Sequence, residues 1–382
     1  MKIVIAMDSF KGSLSSLEAG KAVKEGIHKA EKDTDVIIVP VADGGEGTTE
    51  ALTYGMGGSM QSISVTGPLG EPVNAGYGIV NDEMAILEMS AAAGLTLIDE
   101  KMKNPLYTTT YGVGEMIRDA IGKGIRHFIV GIGGSATNDG GSGMLQALGY
   151  DLIDDNGKQI PFGAQGLEVL TAIKVQNAMP ELKACSFRVA CDVTNPLCGK
   201  NGASVVYGPQ KGAVPEITEK MDRWLLNYAD IAGTINHDAD PDHPGAGAAG
   251  GLGFAFLAFL GASLEPGIKI VLDETGLEEH IKGADIVVTG EGRLDGQTIM
   301  GKAPFGIAKL AKKYDKPVIA FSGSTASDAS ICNEYGIDAF FPVVRDAITL
   351  NEAMDPKTAE KNLAAAAEQV FRLMKTCIRL GK

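Results

Sequence analysis

The side chains best suited to chemistry sit in three polar loops, and each loop follows a short apolar run. KIVIAM (2–7) leads into DSFKGSLSS, VIIVP (36–40) into VADGGEGT, and DIVVTG (285–290) into EGRLDGQTIMGKAP. The loops carry Asp8, Ser9, Lys11, Asp43, Glu46, Glu291, Arg293, Asp295 and Lys302. Gly44, Gly45 and Gly47 bracket Glu46 and leave amides accessible at the start of the next helix, where anions are favoured. No Cys or His nucleophile stands out, and there is no GxSxG, HExxH or HRD and DFG set. Carboxylates, a few cations and many exposed amides are what phosphoryl transfer requires. Amides and Lys surround the phosphates, carboxylates hold magnesium, and one carboxylate accepts the hydroxyl proton.

A fourth stretch, GIGGSATNDGGSG (131–143), has six glycines in thirteen positions after the run HFIV. Each glycine loses much conformational entropy on folding, so something must approach the backbone closely there. Gly133, Gly134, Ser135, Thr137, Asn138 and Asp139 read as a wall facing phosphate or substrate; a tightly packed turn is the alternative. Gly131-x-Gly133-x-x-Ala136 also fits a dinucleotide fingerprint, with Asp151 and Asp154 about where a ribose-binding acid would be sought. That match supports a second function class, an NAD(P)-dependent oxidoreductase acting on a small hydroxy acid. Asn138, Asp139 and Gly140 prolong the loop where the fingerprint needs a helix at once.

Other pieces are less specific. GQTIMGKA (296–303) resembles a phosphate loop, but Ala303 lacks the hydroxyl that would hold magnesium; Lys302 at a helix start can still meet a phosphate. CDVTNPL (191–197) places Asp192 at a strand end, and YGPQKGA (207–213) offers Lys211 between glycines. HDADPDHPG (237–245) reads as a solvated acidic linker.

The elements that must position these groups are legible at the two ends of the chain. The runs 2–7, 36–40, 285–290, 317–321 and 339–343 are short, apolar and bounded by turn residues, as buried parallel strands are. Helical patterns alternate with them. One starts at a capping box, Ser15 and Glu18; another has Pro304 near its start; a third covers KTAEKNLAAAAEQVFRLMKTCI. Between about 70 and 280 the texture is Gly-rich loops with scattered strand candidates: ISV, AGYGIV, MAILEM, HFIVGI, FRVACDV and SVVYG. The expected fold is α/β: a doubly wound parallel-sheet domain from residues 1–70 and 283–382, with a second α/β domain, 71–282, inserted. The cleft between two such domains is the expected site.

A net charge of −14 without a basic run argues against nucleic acid. The apolar stretch at 251–262 is too short to span a membrane, and the five-residue apolar run near Met1 is too short for a signal peptide. Five cysteines without a CxxC fit a reducing compartment. A cytoplasmic protein is expected, and a homodimer is among the assemblies allowed.

Seven motifs in order, DSFKGSLSS, PVADGGEGT, GIGGSATNDGG, CDVTNPLCG, YGPQKGA, PGAGAAGG and TGEGRLDGQTIMGKAP, resemble the bacterial glycerate kinases of the type I family from residue 3 to the end. The resemblance implies ATP and Mg2+, D-glycerate as substrate, and a Rossmann-like domain built from both termini. It favours the 2-hydroxyl as acceptor, with 3-kinase specificity the alternative. Within that expectation Lys11 and Arg293 pair with the glycerate carboxylate or the γ-phosphate. Asp43, Asp192 and Asp295 are candidates for base and magnesium ligands, with Asp43 and Asp295 favoured for the metal. Asp192 is the expected base, because it comes from the inserted domain.

Overall fold

The computed structural model describes residues 1–42 and 44–380, so Asp43 lies outside the described residues. In chain order the strands are β1 (Lys2–Met7), β2 (Asp35–Ile38), β3 (Ser59–Thr66), β4 (Pro72–Val80), β5 (Met84–Glu88), β6 (His127–Gly131), β7 (Asp151–Ile153), β8 (Ala172–Lys174), β9 (Ser186–Ala190), β10 (Ser263–Glu265), β11 (Ile286–Leu294), β12 (Val318–Thr325) and β13 (Ala339–Pro342). The chain forms two compact units. The first is Met1–Asp43, Glu50–Met56 and Ile268–Lys382; the second is Gly44–Thr49 and Gly57–Gly267.

The first unit is built on a wholly parallel sheet, ordered β13-β12-β11-β1-β2. The first halves of its central strands, such as IVIAM in β1, IVV in β11 and VIAF in β12, are continuous apolar runs because both faces are covered there. Ile3, Ile5 and Met7 form one core with the helices Ser16–Ala30 and Pro356–Leu380. The helix Ala303–Lys312 packs against β11 and β1. The capping box expected at Ser15 forms: the Glu18 amide donates to Ser15 Oγ, and Glu18 accepts from the Ser15 amide at 2.8 Å. From β1 the chain winds outward to β2, and from β11 it winds the other way to β12 and β13. The order therefore reverses between β1 and β11. In open parallel sheets ligands bind beyond the carboxyl ends of the strands at such a switch point.

The second unit carries a mixed sheet, β10-β9-β6-β5-β4-β3, in which β4 runs antiparallel to both neighbours and the rest is parallel. A small β7-β8 hairpin lies apart. The apolar stretch at 251–262 supplies the regular turns of the helix Ala248–Leu260 that follow the left-handed kink at Ala249, Gly250 and Gly251, and it buries Phe254 and Phe256 in the core. One strand expectation fails. SVVYG lies in the helix Ala203–Tyr207, where Ala203 and Ser204 are buried and Val205 and Val206 face outward. A short apolar run lacks the length to distinguish strand from helix, and here packing decides. Among the described residues no helix is long and apolar enough to cross a membrane.

Candidate active site

Each sheet presents a set of polar groups beyond the carboxyl ends of its strands. In the first unit, Asp8, Ser9, Lys11, Glu291, Arg293, Asp295 and Lys302 all line one cavity of about 380 Å³. Strand pairing brings them there. Met7 pairs with Gly290, and the Asp8 amide donates to the Gly290 carbonyl at 2.8 Å. The loops after β1 and β11 therefore flank the switch point side by side.

The glycines of TGEG and SGS permit this arrangement. A Cβ on Gly290 would stand 1.9 Å from the Phe321 carbonyl oxygen, and one on Gly323 2.5 Å from that of Gly292. Glu291 is buried and accepts a hydrogen bond from Thr298 Oγ1 at 2.7 Å. Lys302, the residue that begins the helix Ala303–Lys312, has its Nζ 3.5 Å from Glu291 and 3.6 Å from Asp295. Arg293 is largely exposed, with Nε 3.7 Å from Asp295. Asp8 Oδ1 takes the Ser9 amide at 2.7 Å. The Ser9 and Ser13 hydroxyl oxygens are buried and lack a hydrogen-bond partner among the described residues.

In the second unit the segment Gly44–Thr49 lies across the ends of β5, β6 and β9. A Cβ on Gly44 would meet Ala190 at 2.9 Å and the Gly267 Cα at 3.1 Å, and its φ of +93° suits glycine alone. Gly133 faces Gly45, with 3.7 Å between its notional Cβ and the Gly45 Cα. Asp192 is exposed, and its Oδ1 accepts the Gly267 amide at 3.0 Å. Gly133 and Gly134 are exposed as well.

The remainder of GIGGSATNDGGSG turns inward. Ser135, Thr137, Asn138 and Asp139 are buried. Asp139 accepts hydrogen bonds from the Thr110 amide and hydroxyl and from the amides of Gly141 and Gly143. Burial raises the pKa of Asp139, against the pull of these bonds. Lys211 is buried too; its Nζ donates to Ser135 Oγ and to the Thr137 carbonyl, and burial pushes its pKa down to about 7. The glycines here admit other backbone. A Cβ on Gly250 would stand 2.1 Å from the Thr137 carbonyl oxygen, and the Gly140 amide donates to the Gly250 carbonyl at 2.9 Å. Thus PGAGAAGG packs against TNDGG. The dinucleotide reading fails on geometry, since β6 ends at Gly131 and the next helix starts only at Ser142.

Sequence reasoning missed Glu88. It ends β5 beside Gly131, accepts the Thr49 amide at 2.8 Å, and has its pKa raised by burial and by Glu46. The signal was available, because MAILE is a strand whose last residue is a carboxylate.

Among the described residues no group of three or more His, Cys, Asp or Glu is assembled to hold a metal ion. Magnesium ordinarily takes one or two carboxylates and completes its shell with phosphate and water oxygens. Glu291 and Asp295, on one cavity wall with Lys302 between them, fit that pattern.

Residues 3–375 match the model of the glycerate kinase family. A relative from Escherichia coli K12 named glycerate 2-kinase is 49% identical, covering 97% of each chain. One from Bacillus subtilis 168 named glycerate kinase is 45% identical, over 100% of this chain and 99% of its own. A crystal structure from Salmonella typhimurium LT2, described there as a candidate glycerate kinase 2, superposes with a TM-score of 0.91 at 48% identity and 99% coverage of both chains.

Proposed function

From the chain's membership of the glycerate kinase family, shown by a match over nearly its whole length, we propose that it transfers the γ-phosphoryl group of ATP to D-glycerate, giving 2-phosphoglycerate and ADP. The observation that carries the chemistry is the cavity at the β1/β11 switch point, where Lys11, Arg293 and Lys302 stand with Asp8, Glu291 and Asp295. Phosphoryl transfer asks a protein mainly for positioning and charge neutralisation, and this set supplies both.

The roles divide by chemistry. Lys302 and Lys11 neutralise phosphate oxygens, and Arg293 offers a planar fork to a carboxylate or phosphate. Magnesium, held by Glu291 and Asp295, would supply further charge neutralisation at the phosphates. Asp192 accepts the proton of the attacking hydroxyl: its Oδ1 is anchored by the Gly267 amide, which fixes the carboxylate in one orientation. The amides of the exposed residues Gly133 and Gly134 offer donors to an anionic substrate. The name of the Escherichia coli relative supports the 2-hydroxyl as acceptor. ATP is an intracellular donor, which supports a cytoplasmic location.

A coupled assay for ADP release with D-glycerate tests the reading, and phosphorus–proton coupling in the product tests the position. Coupling to one methine proton is expected. Coupling to a methylene pair would assign the 3-hydroxyl, and absence of ADP release would remove the activity.

A further inference from the structure

The cavity of the first unit is larger and less polar than a three-carbon acid needs. Asp8, Lys11, Glu291 and Lys302 give its lining charge, whereas Val343, Val344, Leu350, Ala353 and Met354 give it apolar surface. Glycerate has two hydroxyls and a carboxylate on three carbons and gives an apolar wall nothing to cover. Pockets that hold larger organic ligands span about 300–1,000 Å³ and combine apolar lining with a few placed polar groups. At about 380 Å³ this cavity falls in that range.

Resting on the kinase reading, we propose that this cavity holds the nucleoside triphosphate, with its base against the apolar wall and its phosphates toward Lys11 and Lys302. Three independent observations converge on this assignment. The cavity lies at the switch point of a parallel sheet, where nucleotides bind in doubly wound folds. Its lining combines apolar surface with charged groups, as the two chemistries of a nucleotide require, a flat weakly polar ring and a polyanion. The Ser9 and Ser13 hydroxyl oxygens, on the lining and without hydrogen-bond partners among the described residues, are ready to meet phosphate oxygens. Asn362, also on the lining, carries the paired donor and acceptor that a base edge can use.

The wall rather than the charged side is the place to test this, because inorganic tripolyphosphate shares the polyanion and lacks the base. We compare equilibrium binding of a non-hydrolysable ATP analogue and of tripolyphosphate to the full chain. The variants are Ala353→Phe, which fills the wall, and Leu350→Asp, which charges an exposed part of it and spares the core. Both variants are expected to weaken the ATP analogue at least tenfold, to leave tripolyphosphate within twofold, and to raise KM for ATP while KM for D-glycerate stays within twofold. Wall variants that raise KM for D-glycerate and leave ATP untouched would overturn the assignment, as would loss of tripolyphosphate binding equal to that of ATP. A wild-type protein that binds ATP with this wall dependence yet makes no ADP from D-glycerate overturns the kinase reading alone.

Discussion

Lys211 Nζ lies 2.8 Å from Ser135 Oγ, 76 residues earlier in the chain, and 2.6 Å from the Thr137 carbonyl, so a short turn of the second unit fixes the floor beneath Gly133 and Gly134. On the other side the Leu95 amide donates to the Gly134 carbonyl at 2.9 Å, so the loop is held from both directions. Lys211→Met leaves both partners buried without their donor, and a loss of about 1–3 kcal/mol is expected for such unsatisfied groups. Chemical denaturation checks it.

The same lysine gives a pH dependence whose sign is fixed. Its folded pKa, about 7, lies below its ordinary value of 10.5 because burial penalises the charge. Between these values the unfolded chain holds a proton that the folded chain has released, so the contribution to stability rises with pH. Well below pH 7 both states are protonated and the slope fades. The stability of the wild type relative to Lys211→Met should therefore climb most steeply from about pH 8 toward pH 10 and level off toward about pH 6. A fall over the upper range would contradict a lysine buried with a depressed pKa.

The glycines of 131–143 divide into two kinds, and two substitutions separate them. A Cβ on Gly143 would stand 2.2 Å from Thr109 Oγ1 and 2.7 Å from the Tyr111 amide nitrogen. Gly143→Ala should cost folding stability by overpacking, about 1–3 kcal/mol. Gly133 has no heavy atom closer than 3.7 Å to its notional Cβ, and its φ is not of the left-handed kind. Gly133→Ala should change folding stability by no more than about 0.5 kcal/mol, as surface changes do. It should also lower kcat/KM, because it narrows the face where amides meet substrate. Thermal melts with steady-state kinetics on both variants check the division.

Much of this arrangement was legible in the sequence, and the exceptions have physical causes. Strand ends followed by polar Gly-rich loops located Asp8, Glu291 and Asp192 because parallel sheets collect ligands at one edge. The same signal marks Glu88, although its strand lies in the middle region where strand candidates are scattered among Gly-rich loops. The inward course of Ser135–Asp139 was not legible. A glycine that admits a ligand and one that admits another strand of backbone look alike in sequence, and the partner segment PGAGAAGG lies more than a hundred residues away. SVVYG shows the complementary failure, a run too short for its period to decide between strand and helix.

Arg293 offers a test in which activity and stability part. Its side chain is 66% exposed, and its link to Asp295 is a long 3.7 Å contact. Exposed pairs of this kind contribute about 0–1 kcal/mol, so Arg293→Ala should scarcely move Tm. The guanidinium nevertheless lines the cavity and can fork a phosphate or a carboxylate, so a large rise in KM for ATP or D-glycerate, or a fall in kcat, is expected. Unchanged kinetics would remove it from the site.

Asp192→Asn isolates charge from geometry. The wild-type Oδ1 accepts the Gly267 amide at 3.0 Å, and an Asn carbonyl oxygen can accept the same bond. Asp192 is exposed, so no buried polar group is orphaned and Tm should stay near wild type. What the variant loses is the lone pair that takes a proton. A positioned general base contributes about 10²–10⁴-fold to rate, so kcat should fall within that range. Raising the pH should not restore it, because the amide does not become a base over the range in which the protein is folded. A folded Asp192→Asn protein with near-normal kcat would assign the base elsewhere, and the half-buried Glu88, whose pKa burial raises at the same sheet edge, is the next carboxylate to test.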